Sequence, residues 1–220
     1  VVIASVNRPR ELGRWVEHIA RQTLKPCEMI WAVTSQADLP EGYAIGSVTQ
    51  GFSILECPVG LTRQRNRGLA HISSDPEYVV FFDDDYVPTA SCLADIVRAF
   101  EIMPEVVGLT GTMLGDGICT CGIEYEEARA LVERYEQDRV FPERPSLEPW
   151  EGLYGCNMAY RAAAIEGQEF DENLPLYAWQ EDVDFAVRVA RGRPMGRTDA
   201  FAGVHQGIKG GRGSGRVGVG

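Results

Sequence analysis

Three consecutive aspartates, Asp83, Asp84 and Asp85, directly follow the apolar run Tyr78-Val79-Val80-Phe81-Phe82. Adjacent carboxylates repel one another and gain nothing from a core, so their clustering calls for a cation or a set of hydroxyl partners. A turn can aim two of them at one hard divalent ion such as Mg2+ or Mn2+, which takes oxygen ligands and bridges carboxylates to phosphates. The alternative is a solvated acidic turn ahead of Pro88. A second acidic group, Glu181, Asp182 and Asp184, follows Trp179 where a helical repeat begins. A carboxylate there serves as a general base, or the acids simply meet the positive end of a helix dipole. His205 is one of three histidines and follows the apolar Phe201-Ala202-Gly203-Val204. Arg63, Arg65 and Arg67 stand out in an acidic chain. Arg63 and Arg67 share a helix face at i, i+4, a repulsion that an anionic ligand would relieve. Lys209, Arg212 and Arg216 raise the same possibility within Gly203–Gly220, which holds eight glycines and no acids. Glycines let backbone amides approach phosphate oxygens, and the segment is either a mobile linker or one ordered by a ligand.

These groups need a scaffold, and the chain alternates strand and helix patterns that provide one. Val1 to Ser5 reads as a strand, and Leu12, Trp15, Val16 and Ile19 then recur at helical spacing. Met29 to Val33 and the neighbourhood of Ile54-Leu55 read as second and third strands, with a polar helix from Thr62 to Ile72 after them. The continuous apolar run ending at the aspartates is that of a strand buried on both faces. Thr89 is a candidate cap for a helix lined by Leu93, Ile96, Val97 and Phe100, which Pro104 ends. Val106 to Met113 is a further strand, and Glu124 to Glu151 an acidic insertion or surface helix. Val183, Ala186, Val187 and Ala190 repeat helically behind Glu181 and Asp182. The fold class is therefore α/β, a mostly parallel central sheet flanked by helices, with ligands at the carboxyl ends of the strands.

The chain has 220 residues, 45% of them hydrophobic and 24% charged, which is a globular composition large enough for one core. Lys and Arg number 21 against 32 Asp and Glu, a net charge of -11 that disfavours nonspecific attraction to nucleic acid or an anionic bilayer. No apolar run is long enough to span a membrane, and the first residues lack the build of a signal peptide. The chain reads as cytoplasmic. It lacks an initiator Met and starts inside an apolar strand, so it reads as part of a longer protein. Six cysteines are scattered through it, and Cys119-Thr120-Cys121 has no second pair to complete a tetrahedral zinc site.

Taken in order, the parts resemble the inverting glycosyltransferases of family 2, which have the GT-A fold. The resemblance runs nearly end to end. Val2 to Pro9 is similar to the family's opening strand and nucleotide loop, and Gln22 falls where its first helix closes with a Gln. Gly60 through Arg65-Asn66-Arg67-Gly68 resembles its Gly and Ala-Arg-Asn-x-Gly pattern. Phe82-Asp83-Asp84-Asp85 resembles its DxD metal motif, Gly155-Cys156-Asn157-Met158 with Arg161 its Gly-x-Asn-x stretch, and Glu181-Asp182-Val183-Asp184-Phe185 with Arg188 its Glu-Asp motif.

The resemblance implies one GT-A domain with a nucleotide-binding half at 1–110, an acceptor-binding half at 111–202 and a flexible tail or lid at 203–220. It implies Asp182 as catalytic base, Asp85 and His205 as ligands of Mn2+ or Mg2+, and Asp83 as a partner of both metal and donor ribose. Ser5, Asn7, Arg8, Asp38, Arg65 and Asp84 then belong to the nucleotide-sugar site, with Asn157, Trp179, Glu181 and Asp184 at the acceptor or in support. Family members carry an Asp directly after strand two to read uracil. Here Thr34-Ser35-Gln36 follow Val33 and the first acid is Asp38. A UDP-sugar is the favoured donor. A saccharide or lipid-linked saccharide is the implied acceptor, at the inner membrane face, and polysaccharide or glycoconjugate synthesis the setting. The Gln-x-x-Arg-Trp motif of processive synthases is not found in this chain, which points to single-sugar transfer or to a motif that lies beyond this sequence. Two rival readings are a sugar-phosphate nucleotidyltransferase, which opens with a glycine-rich loop absent from Ser5 to Pro9, and a GT-A scaffold kept as a non-catalytic binding module.

Overall fold

The computed structural model describes residues 1–42, 49–73, 75–149, 152–174, 178 and 180–209. In chain order the elements are β1 (Val2–Ala4), α1 (Pro9–Arg21), β2 (Glu28–Val33), a single 3-10 turn (Gln36–Asp38), β3 (Gly51–Glu56), α2 (Leu61–His71), β4 (Tyr78–Asp83), β5 (Tyr86–Pro88) and α3 (Cys92–Ile102). They continue with β6 (Gly108–Asp116), α4 (Tyr125–Asp138), β7 (Glu148–Pro149), β8 (Asn157–Arg161), α5 (Ala162–Ile165), α6 (Glu181–Ala190) and β9 (Met195–His205). All strands join one sheet in the order β3-β2-β1-β4-β8-β6-β9-β5, with β7 added on β9. β3, β2, β1 and β4 run parallel, as do β6 and β9. Antiparallel pairs enter in the second half, where β8 lies between β4 and β6 and β5 lies against β9.

Successive side chains of a strand point to opposite faces, and both faces here are apolar. Ile3, Trp31 and Phe82 pack with Leu12, Trp15, Ile96 and Phe100 beneath α1 and α3. Their neighbours Val2, Ile30 and Phe81 pack with Tyr160, Phe170, Phe185 and Val189 on the other side. Burying each such large side chain stabilises the fold by roughly 2–3 kcal/mol. That double burial is why these strands read as unbroken apolar runs. Gln22 closes α1 and donates to the Thr89 carbonyl at 2.8 Å while accepting from the Leu93 amide at 3.0 Å, which fixes α1 against the start of α3.

Three expectations need correction. Ser91, not Thr89, precedes α3, and its hydroxyl donates to Asp95. Thr89 instead joins the sheet through its amide to the Ala202 carbonyl. α6 buries Phe185, Ala186 and Val189 and leaves Val187 54% exposed, because it lies on the sheet through the Phe185 ring, which stacks on Phe170 at 3.9 Å. Gly203, Val204 and His205 are not part of a tail. They are the end of β9, held by β5 and β6 on either side. Directly after the aspartates and ahead of α3, β5 is an element the sequence pattern did not separate. Residues 210–220, with Arg212 and Arg216, lie outside the described residues. In the acidic stretch the surface-helix alternative is the one found, as α4 buries only Ala128 and Val132 as core contacts.

Candidate active site

β4 delivers Asp83 at its carboxyl end, and the two-residue turn to β5 carries Asp84 and Asp85. Tyr86 of β5 pairs with His205, so the backbone ladder sets Asp85 beside the last residue of β9. One donor atom each from Asp83, Asp85 and His205 lies within 4.8 Å of the others. His205 Nε2 is 3.5 Å from Asp85 Oδ1, and both residues are almost fully buried. Neither of these two atoms has a hydrogen-bond partner. Two buried polar atoms aimed at each other at this distance are costly unless something between them, a ring proton or a cation, satisfies both. A divalent cation does, and two carboxylates plus an imidazole nitrogen suit Mn2+ or Mg2+ in the oxygen-rich, borderline range.

The surroundings hold these ligands in place. The second oxygen of Asp85 accepts from the Ile208 amide at 2.8 Å and faces Arg8 at 3.5 Å. Burial opposes its ionised form, but His205, Arg8 and the amide outweigh burial and lower its pKa. Burial likewise opposes a charged His205 ring, yet Asp116 and Asp85 raise it to about 10. Asp116 accepts from His205 Nδ1 at 3.0 Å and from the Tyr154 hydroxyl at 2.6 Å. Burial raises its pKa, and these hydrogen bonds overcome it and bring Asp116 to about 2. Asp84 turns away from this group. It accepts from Ser5 Oγ at 2.6 Å and Arg8 Nη1 at 2.8 Å, and burial outweighs Arg8 to push it up to about 7.

Asn7 has a left-handed φ of 55° and an exposed side chain, and its amide donates to Asp38 Oδ1 at 2.7 Å. The other Asp38 oxygen accepts from the Thr34 amide, the Thr34 hydroxyl and the Ser35 amide. Asp38 is fully buried. Its carboxylate ties the loops after β1 and β2 together and offers no face to a base, which corrects the expectation of a contact there. Burial raises its pKa, and the hydroxyl and amide donors outweigh that and lower it.

Arg65 is also placed differently from the expectation. α2 lies so close to β1 that a Cβ on Gly68 would come within 2.5 Å of Val2 Cγ1, and Arg65, one turn earlier, is driven into the sheet. It is 2% exposed and donates to Glu181 at 2.7 Å, Asp83 at 3.1 Å and the Gly155 carbonyl at 2.8 Å. Its guanidinium holds the site's carboxylates instead of presenting itself outward. Arg63, half exposed, pairs with Glu172 at 3.5 Å.

Of the second acidic group, Glu181 is neutralised by Arg65, and Asp184 is paired with Arg188 at 2.7 Å on the outer face of α6. Asp182 is partly exposed and accepts from the Gly155 and Val183 amides at 2.8 and 2.9 Å. It has no cationic side chain within salt-bridge distance among the described residues. Asn157 is fully buried, bonded to the Thr110 hydroxyl and, at 3.2 Å, to the Tyr86 hydroxyl, so it supports the sheet and faces no acceptor. Trp179 lies outside the described residues. The sequence reading missed Asp116 and Tyr154. Asp116 has no motif around it, and its place at a strand's carboxyl end was its one available signal, whereas Tyr154 stands directly before the Gly155-Cys156-Asn157 stretch.

The sheet order, with the acid–acid–histidine group on its carboxyl edge, defines an α/β domain of the GT-A type. Residues 1–165 match the family model described as glycosyl transferase family 2, and the chain belongs to that family. No curated protein matches its sequence. Among solved structures it is similar to S. aureus TarS residues 1-349, with a TM-score of 0.62 and 15% identity over 92% of this chain and 59% of that one. It is also similar to the mannosyltransferase PcManGT from Pyrobaculum calidifontis in complex with GDP-Man and Mn2+, with a TM-score of 0.64 and 16% identity over 96% of this chain and 57% of that one. TarS 1-349 in complex with UDP-GlcNAc gives 0.61 and 16%, over 92% and 57%. This chain thus spans less than three fifths of each of those chains. No helix among the described residues is long and apolar enough to cross a membrane.

Proposed function

We propose that the chain is the catalytic part of a metal-dependent glycosyltransferase that moves a sugar from a nucleotide-diphosphate sugar to an acceptor hydroxyl with inversion, in polysaccharide or glycoconjugate synthesis. The observation that carries this reading is the pair of buried, unpartnered donor atoms, His205 Nε2 and Asp85 Oδ1, beside Asp83 on the carboxyl edge of the sheet. Asp83, Asp85 and His205 would hold Mn2+ or Mg2+, which when bound supplies positive charge to the leaving diphosphate. Arg8 holds the loop after β1 against Asp84 and Asp85, and Arg65 keeps Asp83 aimed outward. Asp182 takes the proton of the attacking hydroxyl. It suits that work because its two rivals are already paired with Arg65 and Arg188. A double displacement would need a second free carboxylate as nucleophile, and the pairing of Glu181 and Asp184 favours a single inverting displacement. The solved neighbours carry UDP-GlcNAc and GDP-Man, which supports the donor class and leaves UDP as the favoured nucleotide; the acceptor is a saccharide or lipid-linked saccharide.

The test is calorimetric titration of UDP, GDP and their sugars with Mn2+ and with chelator, paired with a donor-hydrolysis assay. Nucleotide binding should require the metal and fall sharply in Asp85→Ala. Equal binding in chelator overturns the metal assignment. Pyrophosphate release from a sugar phosphate and nucleoside triphosphate would favour the nucleotidyltransferase, and binding without hydrolysis or transfer the non-catalytic module.

A further inference from the structure

We infer that Asp116, on the last residue of β6, is a positioning residue that fixes the tautomer and rotamer of His205, with the Tyr154 hydroxyl as its own anchor. The inference rests on the metal reading above and adds residues to it.

The register of β6 on β9 carries the argument. Met113 pairs with Gly203, but Gly115 pairs with Val204, so one extra residue is accommodated at Leu114. A straight continuation would bring Gly115 opposite His205. The irregularity instead brings Asp116 there, and a one-residue slip in a strand exchanges the faces of everything beyond it. The consequence is a 3.0 Å contact between Asp116 Oδ1 and His205 Nδ1. An ionised carboxylate only accepts, so Nδ1 must donate, and in the neutral ring the lone pair then falls on Nε2. Nε2 is the atom that faces Asp85 Oδ1 and lacks a partner. The remaining Asp116 oxygen is taken by Tyr154 at 2.6 Å, and the Tyr154 ring stands edge-on to the imidazole at 5.8 Å between centroids and 87° between planes. The Ile118 amide adds a third donor to Asp116 at 3.0 Å. The Gly117 amide, one residue after Asp116, donates to the His205 carbonyl at 2.9 Å and ties the end of β6 to the same histidine through the main chain. A ligand histidine whose other nitrogen is held by a carboxylate is oriented and made more basic, and loss of such a partner weakens metal affinity 10- to 100-fold.

Mn2+ affinity of the full chain, read from the free-ion electron paramagnetic resonance signal, tests this alongside the imidazole 15N shifts of the Mg2+-loaded protein. Asp116→Ala should weaken Mn2+ binding about 10- to 100-fold, and Asp116→Asn, whose amide oxygen still accepts from Nδ1, should recover part of it. Tyr154→Phe removes one O–H, keeps the fold intact, and should weaken binding several-fold. The wild-type shifts should report a protonated Nδ1, and Tyr154→Phe should move them. Wild-type affinity in Asp116→Ala and Tyr154→Phe, or a protonated Nε2 in the loaded wild type, overturns the positioning role alone. A wild type that binds neither Mn2+ nor Mg2+ overturns the metal reading and this role with it.

Discussion

Replacing Arg65 by Met should destabilise the fold by about 4 kcal/mol, because removing one partner of a buried pair costs about 3–5 kcal/mol and leaves the other charge stranded. Arg65 and Glu181 are both buried and 2.7 Å apart, while Asp83 is partly exposed and contributes less. Met keeps an unbranched apolar stem where the guanidinium lies over the Phe170 ring at 5.4 Å, so little packing is lost. For a chain of this length about 4 kcal/mol corresponds to a drop in Tm of roughly 8–16 °C. The deficit should also depend on pH. Burial outweighs Arg65 and already raises Glu181 above its ordinary value, and without Arg65 it rises further. A carboxyl with a raised folded pKa binds its proton more tightly in the folded state, so stability returns as pH falls through that value. Urea denaturation at pH 8 and pH 5 should therefore show a smaller gap between variant and wild type at the lower pH, and Glu181→Gln added to Arg65→Met should narrow the gap at pH 8. A loss below about 1 kcal/mol at pH 8, or no relief from Glu181→Gln, would refute the buried network. Weaker nucleotide binding with unchanged stability would return Arg65 to a direct nucleotide contact.

Asp182→Asn should lower turnover roughly 100-fold or more with donor affinity nearly intact, while Asp184→Asn should leave turnover close to wild type; steady-state kinetics with nucleotide titration checks both. Asp38→Ala removes four accepted hydrogen bonds from one fully buried carboxylate and should cost about 2–4 kcal/mol in urea denaturation. Because the folded pKa of Asp38 is lowered, that contribution is full above its unfolded value near 4 and is lost as pH falls through the folded value, so the variant and wild type should converge in acid. Gly155→Ala places a Cβ 3.1 Å from Asp182 Oδ2, so kcat should fall while Mn2+ affinity stays within a factor of about two.

The alternation of apolar strands with amphipathic helices made the parallel half of the sheet legible, because β1, β2 and β4 are largely buried on both faces, while β3 is only half-buried. The second half was less legible. β8 enters antiparallel between β4 and β6, and no local pattern distinguishes that from another parallel crossover. The proposed cation site was visible as acids at a strand end and a late histidine. Its supporting groups were not, since Asp116 meets His205 through a bulge and a pairing 89 residues apart, which spacing rules do not reach. Asp38 and Arg65 were visible as residues and misassigned as contacts. Burial decides whether a charged group faces a ligand or holds a neighbour, and burial is a property of the packed chain.

One residue, Gly155, links the two acidic groups, which lie nearly 100 residues apart in the chain. The Gly155 amide donates to Asp182, its carbonyl accepts from Arg65, and Arg65 in turn holds Asp83 and Glu181. The Cys156 carbonyl, one residue on, accepts from the Asp83 amide at 3.2 Å. The short stretch ahead of β8 therefore holds the proposed base Asp182 on one side and the proposed cation ligand Asp83 on the other. A Cβ at Gly155 would stand 3.1 Å from Asp182 Oδ2, so any side chain there presses on the carboxylate and must shift it by a few tenths of an ångström.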